Sequence, residues 1–197
     1  MQFVFPWSEP DLTPWLARPI HPQAARDMVP NPHHDLTEAI LGTESAGPPE
    51  ACGSFLRVSE SVLGYRIFGP KIGTPYVQTE SLQVGDTVGL NYRFLPGLSL
   101  FFASRVVDVF ALEETEDGWR SGFAYQTLTH HPELGEEVFE VCKRRDGRVT
   151  LRIEAWSRPN LWFVSLFAPL GRRIQRYAAR CAVEYLTEVA QGRVHRT

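Results

Sequence analysis

The middle of the chain alternates between apolar and polar residues in a way that predicts antiparallel β-strands. Residues 87–95 read TVGLNYRFL, and every second side chain from Val88 onwards is apolar or aromatic. Side chains two positions apart share one face of a strand, so this segment predicts a strand with a covered face. The same reasoning predicts further strands at 62–68, 98–112, 119–129, 136–143 and 148–156. Turn dipeptides separate several of them: Pro96-Gly97, Asp117-Gly118 and Asp146-Gly147.

The amino-terminal part carries a different pattern. Phe3 to Phe5 predict a short strand that ends at Pro6, because proline cannot donate to a β-ladder. Residues 8–50 are rich in proline, alanine and leucine and predict two or three short helices. One of these is a helical turn capped by Asp35. Its apolar residues are Leu36, Ala39, Ile40 and Leu41.

The end of the chain predicts a long helix. Apolar residues recur there at three- and four-residue steps and form one stripe: Phe163, Phe167, Leu170, Ile174, Tyr177, Cys181 and Tyr185. A cluster of arginines falls mainly elsewhere on the helical wheel and is interpreted as a solvated face: Arg172, Arg173, Arg176 and Arg180. Pro169 suits a first helical position and Gly192 suits a stop.

This order of elements predicts an α+β fold in which a curved antiparallel sheet of about six to seven strands wraps around the long C-terminal helix. The space between sheet and helix is a natural place for a cavity. A chain of 197 residues is long enough for one domain with a full core. We therefore expect a single domain over 1–197, with a strand and short helices in 1–53, the sheet in 54–159 and the helix in 160–192.

Composition narrows the classes of function. A net charge of -3 and a pI near 6.1 argue against a nucleic-acid partner, which requires a basic surface. The three cysteines are widely spaced, which disfavours a disulfide framework or a zinc knuckle. The first residues do not resemble a signal peptide, and no apolar run approaches the ~20 residues of a membrane span. We expect a cytoplasmic protein without a cofactor or a membrane partner, and the oligomeric state, a homodimer included, stays open.

Two motifs in the second half carry a family resemblance. The first resembles GFAYGTLPGHPxxGEExF, and the chain matches it at Gly122, Phe123, Ala124, Tyr125, Thr127, Leu128, His131, Pro132, Gly135, Glu136, Glu137 and Phe139. It departs from this motif at Gln126, Thr129 and His130. The second resembles AFSRPxxW followed by GPLxRxxQ, and the chain matches it at Ala155, Ser157, Arg158, Pro159, Trp162, Pro169, Leu170, Arg173 and Gln175, with Trp156 replacing the usual aromatic.

These motifs resemble an uncharacterised bacterial and plant family catalogued as domain of unknown function nineteen-ninety. The resemblance covers roughly Ser81 to Gln191, while the first eighty residues match poorly. The order of strands and helices is also similar to that of the START-like, helix-grip proteins, which resemble the birch-pollen allergen. The resemblance implies a fold that commonly encloses apolar or aromatic small molecules and that a few cyclases or hydrolases use. Fold alone does not fix function.

Four residues are candidates for charged or acid–base chemistry. Arg158 closes the last strand and can form a bidentate pair with Glu136, with Glu137 or with an acidic group of a ligand. His131 stands close in sequence to both glutamates and can act as a general base, because its ordinary pKa lies near physiological pH. Structural roles for Arg158 and His131 are open alternatives. A metal site is not expected, because adjacent histidines on an extended chain point apart.

Four further residues are candidates for ligand contacts. Tyr125 and Thr127 share a strand face and would offer hydroxyl groups to a buried molecule. Trp156 flanks the junction between the last strand and the helix, and Gln175 lies near the apolar face of that helix. The predicted ligand-binding set is therefore Tyr125, Thr127, His131, Glu137, Trp156, Arg158 and Gln175.

Three functions are compatible with these residues. The first is binding of a small apolar or aromatic ligand between sheet and helix, with Arg158 meeting an acidic group. The second is a small-molecule enzyme of hydrolase, cyclase or lyase type that uses His131 or Glu136 with Arg158. The third is an interaction module without a pocket. The sequence favours the first and leaves open whether the protein is an enzyme.

Overall fold

A computed structural model describes residues 1–160 and 168–194, and within 168–174 only the side chain of Arg173. Eight strands and three helices follow one another in these residues: β1 (Gln2–Val4), α1 (Thr13–Leu16), β2 (His33–Thr43), α2 (Ser54–Leu63), β3 (Gly73–Tyr76), β4 (Thr87–Leu95), β5 (Leu98–Thr115), β6 (Gly118–Thr127), β7 (Glu133–Arg144), β8 (Arg148–Pro159) and α3 (Ala168–Ala190). Trp162, Phe163 and Phe167 lie outside the described residues.

All eight strands belong to one antiparallel sheet. The strand order is β2-β8-β7-β6-β5-β4-β3, and β1 pairs with β5 beside this path. Strands β4 to β8 are joined by consecutive hairpins, so each of them pairs with the next strand in sequence. Gly97 and Gly147 adopt positive φ angles of 75° and 93° in two of the predicted turns, a conformation that favours glycine.

The predicted α+β, helix-grip architecture is confirmed. The predicted strand at 87–95 coincides with β4, and the long strand predicted from Leu98 is β5. The helix predicted from Pro169 is α3, and it ends before Gly192, which has a positive φ of 67°. Of the arginines predicted to form a solvated helix face, Arg173, Arg176 and Arg180 are exposed.

Two predictions in the first seventy residues are wrong. The turn that was expected to follow an Asp35 cap is part of strand β2, which pairs along its length with β8. Its apolar residues occur at helical spacing by coincidence, since Leu36 and Ile40 project outwards from the sheet and Leu41 projects inwards. The sheet was expected to begin at Ser54 with a strand at 62–68, but Ser54–Leu63 is helix α2 and residues 64–68 form no strand.

Helix α2 could have been recognised from its spacing. Phe55, Val58 and Val62 follow one another at three and four residues and are all fully buried. The β-branched valines and the aromatic residue give this segment a strand-like composition. Packing decided the outcome, because these three side chains meet α3 and the sheet in one apolar cluster.

The sheet has two different faces. The side that we call the helix side packs against α2 and α3 through Phe123, Phe139 and Leu151. On the other side, here called the outer side, the amino-terminal segment covers part of the sheet by packing Trp15 against Phe101. Because alternate residues of every strand face opposite sides, each candidate residue belongs to one face or the other.

A buried ion pair lies on the helix side of the sheet, near the C-terminal end of β7. Lys143 Nζ donates to Glu44 Oε2 over 2.7 Å, and the two side chains are 0% and 2% exposed. Lys143 also donates to the carbonyl of Ser45 over 2.9 Å. The other oxygen of Glu44 accepts the Phe55 amide over 2.6 Å at the start of α2. The pair therefore ties the sheet, the loop after β2 and a helix N-terminus together.

Candidate functional site

A cluster of polar side chains lies on the helix side at the opposite end of β7. Tyr125 of β6 faces Glu137 of β7 in the strand register, and its hydroxyl donates to Glu137 Oε2 over 2.5 Å. Glu133 lies four residues earlier on the same face and accepts hydrogen bonds from Gln175 of α3, at 2.8 Å to both carboxylate oxygens. Gln175 Nε2 is also 3.3 Å from Ser157 Oγ. We call these five residues the polar cluster.

Thr127 and His131 support the strand and loop around the polar cluster. Thr127 is buried, and its hydroxyl accepts the Gly135 amide over 3.0 Å. The Nδ1 atom of His131 lies 2.9 Å from the Glu133 carbonyl oxygen and 3.1 Å from the Glu133 amide nitrogen. The His131 ring also meets Phe102 edge to face at 5.0 Å. These contacts fix the connection between β6 and β7.

The two glutamates of the polar cluster hold protons unusually strongly. Burial raises the pKa of Glu133 to about 7, partly offset by the Gln175 hydrogen bond and reinforced by the charge of Asp35. Burial likewise raises the pKa of Glu137 to about 7, where the Tyr125 hydrogen bond opposes the effect and the charges of Glu133 and Asp35 add to it. The protonation of this site therefore changes near neutral pH.

His131 and Tyr125, beside these glutamates, are neutral at physiological pH. Burial lowers the pKa of His131 to about 3, so the ring is uncharged at physiological pH. The general-base role considered for His131 relied on an ordinary pKa near physiological pH, and burial lowers that pKa in the folded protein. Burial, together with the nearby charge of Glu137, raises the pKa of Tyr125 well above its ordinary value, which keeps the phenol protonated as a hydrogen-bond donor.

Aromatic rings pack around Tyr125. Tyr125 lies 5.6 Å from Phe139 and 6.2 Å from Phe123, measured between ring centroids. Tyr65 packs edge to face against Phe123. Tyr125, Glu133 and Glu137 are deeply embedded, yet none of the three residues is completely excluded from solvent. An apolar wall thus meets a polar end that water can reach.

Three of the predicted site residues lie on the outer side of the sheet. Trp156 stacks on His34 at 5.1 Å between ring centroids, with the Arg26 guanidinium over the Trp156 ring at 5.4 Å. Glu136 accepts a hydrogen bond from Gln126 over 2.8 Å. Arg158 Nη1 donates to the Pro30 carbonyl over 3.1 Å.

The predicted ion pair between Arg158 and Glu136 or Glu137 is wrong. Glu137 faces the helix side, and Glu136 is engaged by Gln126 and by the Arg26 amide. The proposed enzyme constellation of His131, Glu136 and Arg158 is likewise not assembled, because His131 lies with the polar cluster and the other two lie across the sheet. An acidic ligand group on the helix side would not meet Arg158.

Replacing Arg158 with methionine is expected to lower the free energy of unfolding by about 1–2 kcal/mol, because the Pro30 carbonyl loses a charged donor. Urea denaturation measures this loss. Arg148→Met is the matched control, since Arg148 lies on the same row of β8 but pairs with Asp146 at the exposed surface. An equal loss in both variants would show that the Arg158 contact contributes nothing specific.

Glu133 was not among the predicted site residues, because the strand was predicted to begin at Glu136. Once β7 begins at Glu133, alternation puts Glu133 and Glu137 on one face and Glu136 on the other. The signal was therefore present, but Pro132 and Gly135 looked like parts of a loop. The contribution of Gln175 was anticipated from its position near the apolar helix face.

Two depressions open on the outer side of the sheet. One of about 550 Å³ lies between the amino-terminal segment and the β4–β5 hairpin, where Phe5 and Leu95 contribute to its lining. The other, of about 500 Å³, lies over β7 and β8 and includes Arg120 and Arg152. Neither is lined by the polar cluster. The cavity expected between sheet and helix therefore stays a prediction.

Comparison with known proteins assigns the family. The model of the family described as Domain of unknown function (DUF1990) matches residues 23–185. The chain belongs to this DUF1990 family. The match reaches further towards the amino terminus than the two sequence motifs, so it includes β2 and α2. A UPF0548 protein of Dictyostelium discoideum is 29% identical over 107 residues, which cover 51% of this chain and 49% of that protein.

Solved structures resemble the DUF1990 chain in fold. The di-domain ARO/CYC StfQ from the steffimycin biosynthetic pathway matches with a TM-score of 0.51 and 10% identity, covering 81% of this chain and 51% of StfQ. Ginseng major latex-like protein 151 from Panax ginseng matches with a TM-score of 0.37 and 14% identity, covering 75% of this chain and 97% of its own. This chain spans about half the length of the Dictyostelium protein and of StfQ.

No helix within 1–160 and 168–194 is long and apolar enough to cross a membrane. Over the same residues, no three histidine, cysteine, aspartate or glutamate side chains are grouped so that they could hold a metal ion.

Proposed function

We propose that this DUF1990 protein binds a small molecule with an apolar or aromatic body and a hydroxyl or amino group. The ligand would lie between the sheet and α3, with its polar group at the polar cluster. Phe123 and Phe139 are fully buried, so the apolar body would reach them only by displacing side chains that now cover them. The observation that carries this proposal is the embedded yet solvent-accessible Tyr125–Glu137 pair beside Glu133. Binding sites for small molecules usually combine apolar walls with a few convergent polar groups.

The charge of the polar cluster decides which polar group fits. Glu133 and Glu137 accept hydrogen bonds when ionised, and Asp35 adds negative charge nearby. Arg158, the residue first expected to meet an acidic ligand, lies on the outer side. A hydroxyl or an ammonium group would therefore be favoured over a carboxylate, which would meet like charge. This replaces the acidic ligand group expected from the sequence.

Native mass spectrometry of the purified protein, followed by denaturation and analysis of released molecules, tests for a retained ligand. Three probes of similar size then test the polar group by titration calorimetry at pH 8: 2-phenylethylamine, 2-phenylethanol and 3-phenylpropionate. We expect the amine or the alcohol to bind and the acid to bind at least roughly tenfold more weakly. Tighter binding of the acid would contradict the charge argument.

The location is tested by two substitutions at neighbouring positions of one strand. Glu137→Gln should weaken binding of the amine by roughly tenfold, because it removes a charge from the polar end. Glu136→Gln is the matched control on the outer side and should leave that affinity unchanged. Equal weakening in both variants, or a failure of every probe together with an empty protein, would overturn the proposed site.

A further inference from the structure

Exposed apolar side chains gather at one end of the sheet, around the turn between β4 and β5. Five large apolar residues lie there with exposed fractions of 38–82%, and we call them the apolar tip: Phe3, Phe5, Trp7, Phe94 and Leu95. Strand pairing joins Phe3 to β5, and Phe5, Phe94 and Leu95 line one depression. Trp7 stacks on Phe5 at 5.3 Å between ring centroids. A patch of this kind on a folded protein marks an interaction surface.

The apolar tip is not confined to one face of the sheet. Val4 packs with Trp15 on the outer side, so Phe3 beside it projects to the helix side. Phe5 and Leu95 line a depression that opens on the outer side. Apolar surface therefore continues around the end of the sheet. A folded partner covers one face of such a structure, whereas a lipid interface can take in the end of a hairpin from both faces.

The side chains of the apolar tip are those that a membrane interface favours. The Trp7 residue is 82% exposed. An indole combines an apolar ring with one N–H donor, so it is most stable where hydrocarbon meets water. Phenylalanine and leucine carry no polar side-chain group and gain free energy by entering the boundary between headgroups and acyl chains.

Exposed arginines lie beside the apolar tip. Arg93 is exposed in β4 directly before the tip. Ala178 of α3 packs in one cluster with Tyr92 of β4, which brings this part of α3 alongside the strand that leads to the tip. Three exposed arginines belong to the same part of α3: Arg173, Arg176 and Arg180. Among the described residues, none of these four arginines forms an ion pair with a carboxylate. Their charge is therefore available to anionic headgroups.

We propose that the apolar tip docks on the surface of a bilayer that contains anionic phospholipid, with the arginines beside it meeting the headgroups. Both contributions are required, because a small apolar contact or a few basic residues alone give only weak membrane binding. The inference does not depend on the ligand proposed above. It replaces the expectation of no membrane partner, which rested on the lack of a spanning apolar run; a peripheral contact needs none.

Co-sedimentation of the full chain with phosphatidylcholine vesicles, with and without phosphatidylserine, tests the proposal. We expect binding to the mixed vesicles to be tighter by roughly tenfold or more. Trp7→Ser and Leu95→Ser should each weaken it by roughly tenfold, and Arg93→Gln by roughly fivefold. The controls are Val84→Ser, an apolar position with 64% exposure before β4, and Arg148→Gln at the opposite end of the sheet. No binding to the mixed vesicles, or equal losses in tip and control variants, overturns the proposal.

Tryptophan fluorescence reports whether the apolar tip enters the bilayer. Binding to the mixed vesicles should shift the emission of the parent to shorter wavelength, because Trp7 leaves water. Trp7→Phe should keep most of the binding and lose this shift. Binding without a shift in the parent would show adsorption by charge alone and would overturn the tip as the docking site. Self-association that Trp7→Ser abolishes, without vesicle binding, would overturn it in favour of a second copy. Circular dichroism of each variant confirms that the fold is retained.

Discussion

Replacing Lys143 with methionine is expected to lower the free energy of unfolding by about 3–5 kcal/mol, because it leaves the buried Glu44 carboxylate without its cation. The Lys143 side chain is fully buried and hydrogen-bonds to both Glu44 and the Ser45 carbonyl. Glu44 also accepts a hydrogen bond from the Phe55 amide in the first turn of α2. Urea denaturation followed by circular dichroism measures the loss.

A second variant and a surface control separate this effect from a general loss of packing. Adding Glu44→Gln to Lys143→Met should recover part of the stability, because the unpaired charge is gone while an amide oxygen can still accept the Phe55 amide. Lys71→Met removes a similar ion pair to Glu184, whose side chains are 73% and 53% exposed. It should change stability by less than about 1 kcal/mol. If the Lys71 and Lys143 variants lose similar amounts, burial does not govern the Lys143 pair.

Stability is expected to fall as the pH rises from about 4.5 to about 7. The pKa of Glu133 and of Glu137 is raised to about 7 in the folded protein from an ordinary value of 4.5. Between these limits the folded chain binds more protons than the unfolded chain, so each rise in pH favours unfolding. Each carboxyl group contributes at most about 3 kcal/mol, and their mutual repulsion makes the two contributions unequal.

Two substitutions at this site should change the pH profile in opposite ways. Glu137→Gln removes one titrating group, so it should be more stable than the parent by about 1–3 kcal/mol at pH 8 and similar to it at pH 4.5. Tyr125→Phe removes the hydrogen bond that lowers the pKa of Glu137, and should therefore extend the fall in stability to higher pH. Urea denaturation at several pH values provides both profiles. A stability that rises between pH 5 and pH 7 in the parent, with no change in Glu137→Gln, would contradict the assignment.

The sequence was informative where local patterns are strong. Strict alternation and tight turns placed β4 and the hairpin at Asp146-Gly147, because a strand flanked by such turns has few other ways to bury its apolar face. The apolar period of α3 placed that helix for the same reason. The sequence pattern was misleading at β2, where Leu36 and Ile40 are apolar yet exposed. It was also misleading at α2, where valines suggested a strand.

The candidate site, too, was predicted only in part. The motif GFAYQTLTHHPELGEE directed attention to the correct hairpin, and alternation correctly joined Tyr125 to Thr127. The sequence could not show that Glu133, rather than Glu136, would share a face of the sheet with Glu137, because that depends on where β7 begins. It also could not show that Trp156 and Arg158 would meet the amino-terminal segment, since His34, Arg26 and Pro30 are more than a hundred residues away in sequence.

The sequence by itself determined the order of the later strands, the tight turns and the terminal helix, because these follow from side-chain periodicity and from the backbone conformations that glycine and proline favour. Only the tertiary structure decided which face each candidate side chain occupies and which partner it meets. It also decided the protonation of Glu133, Glu137 and His131, since their pKa values depend on burial and on charges supplied by distant strands. Long-range strand pairing creates that environment, and no local pattern in the sequence encodes it.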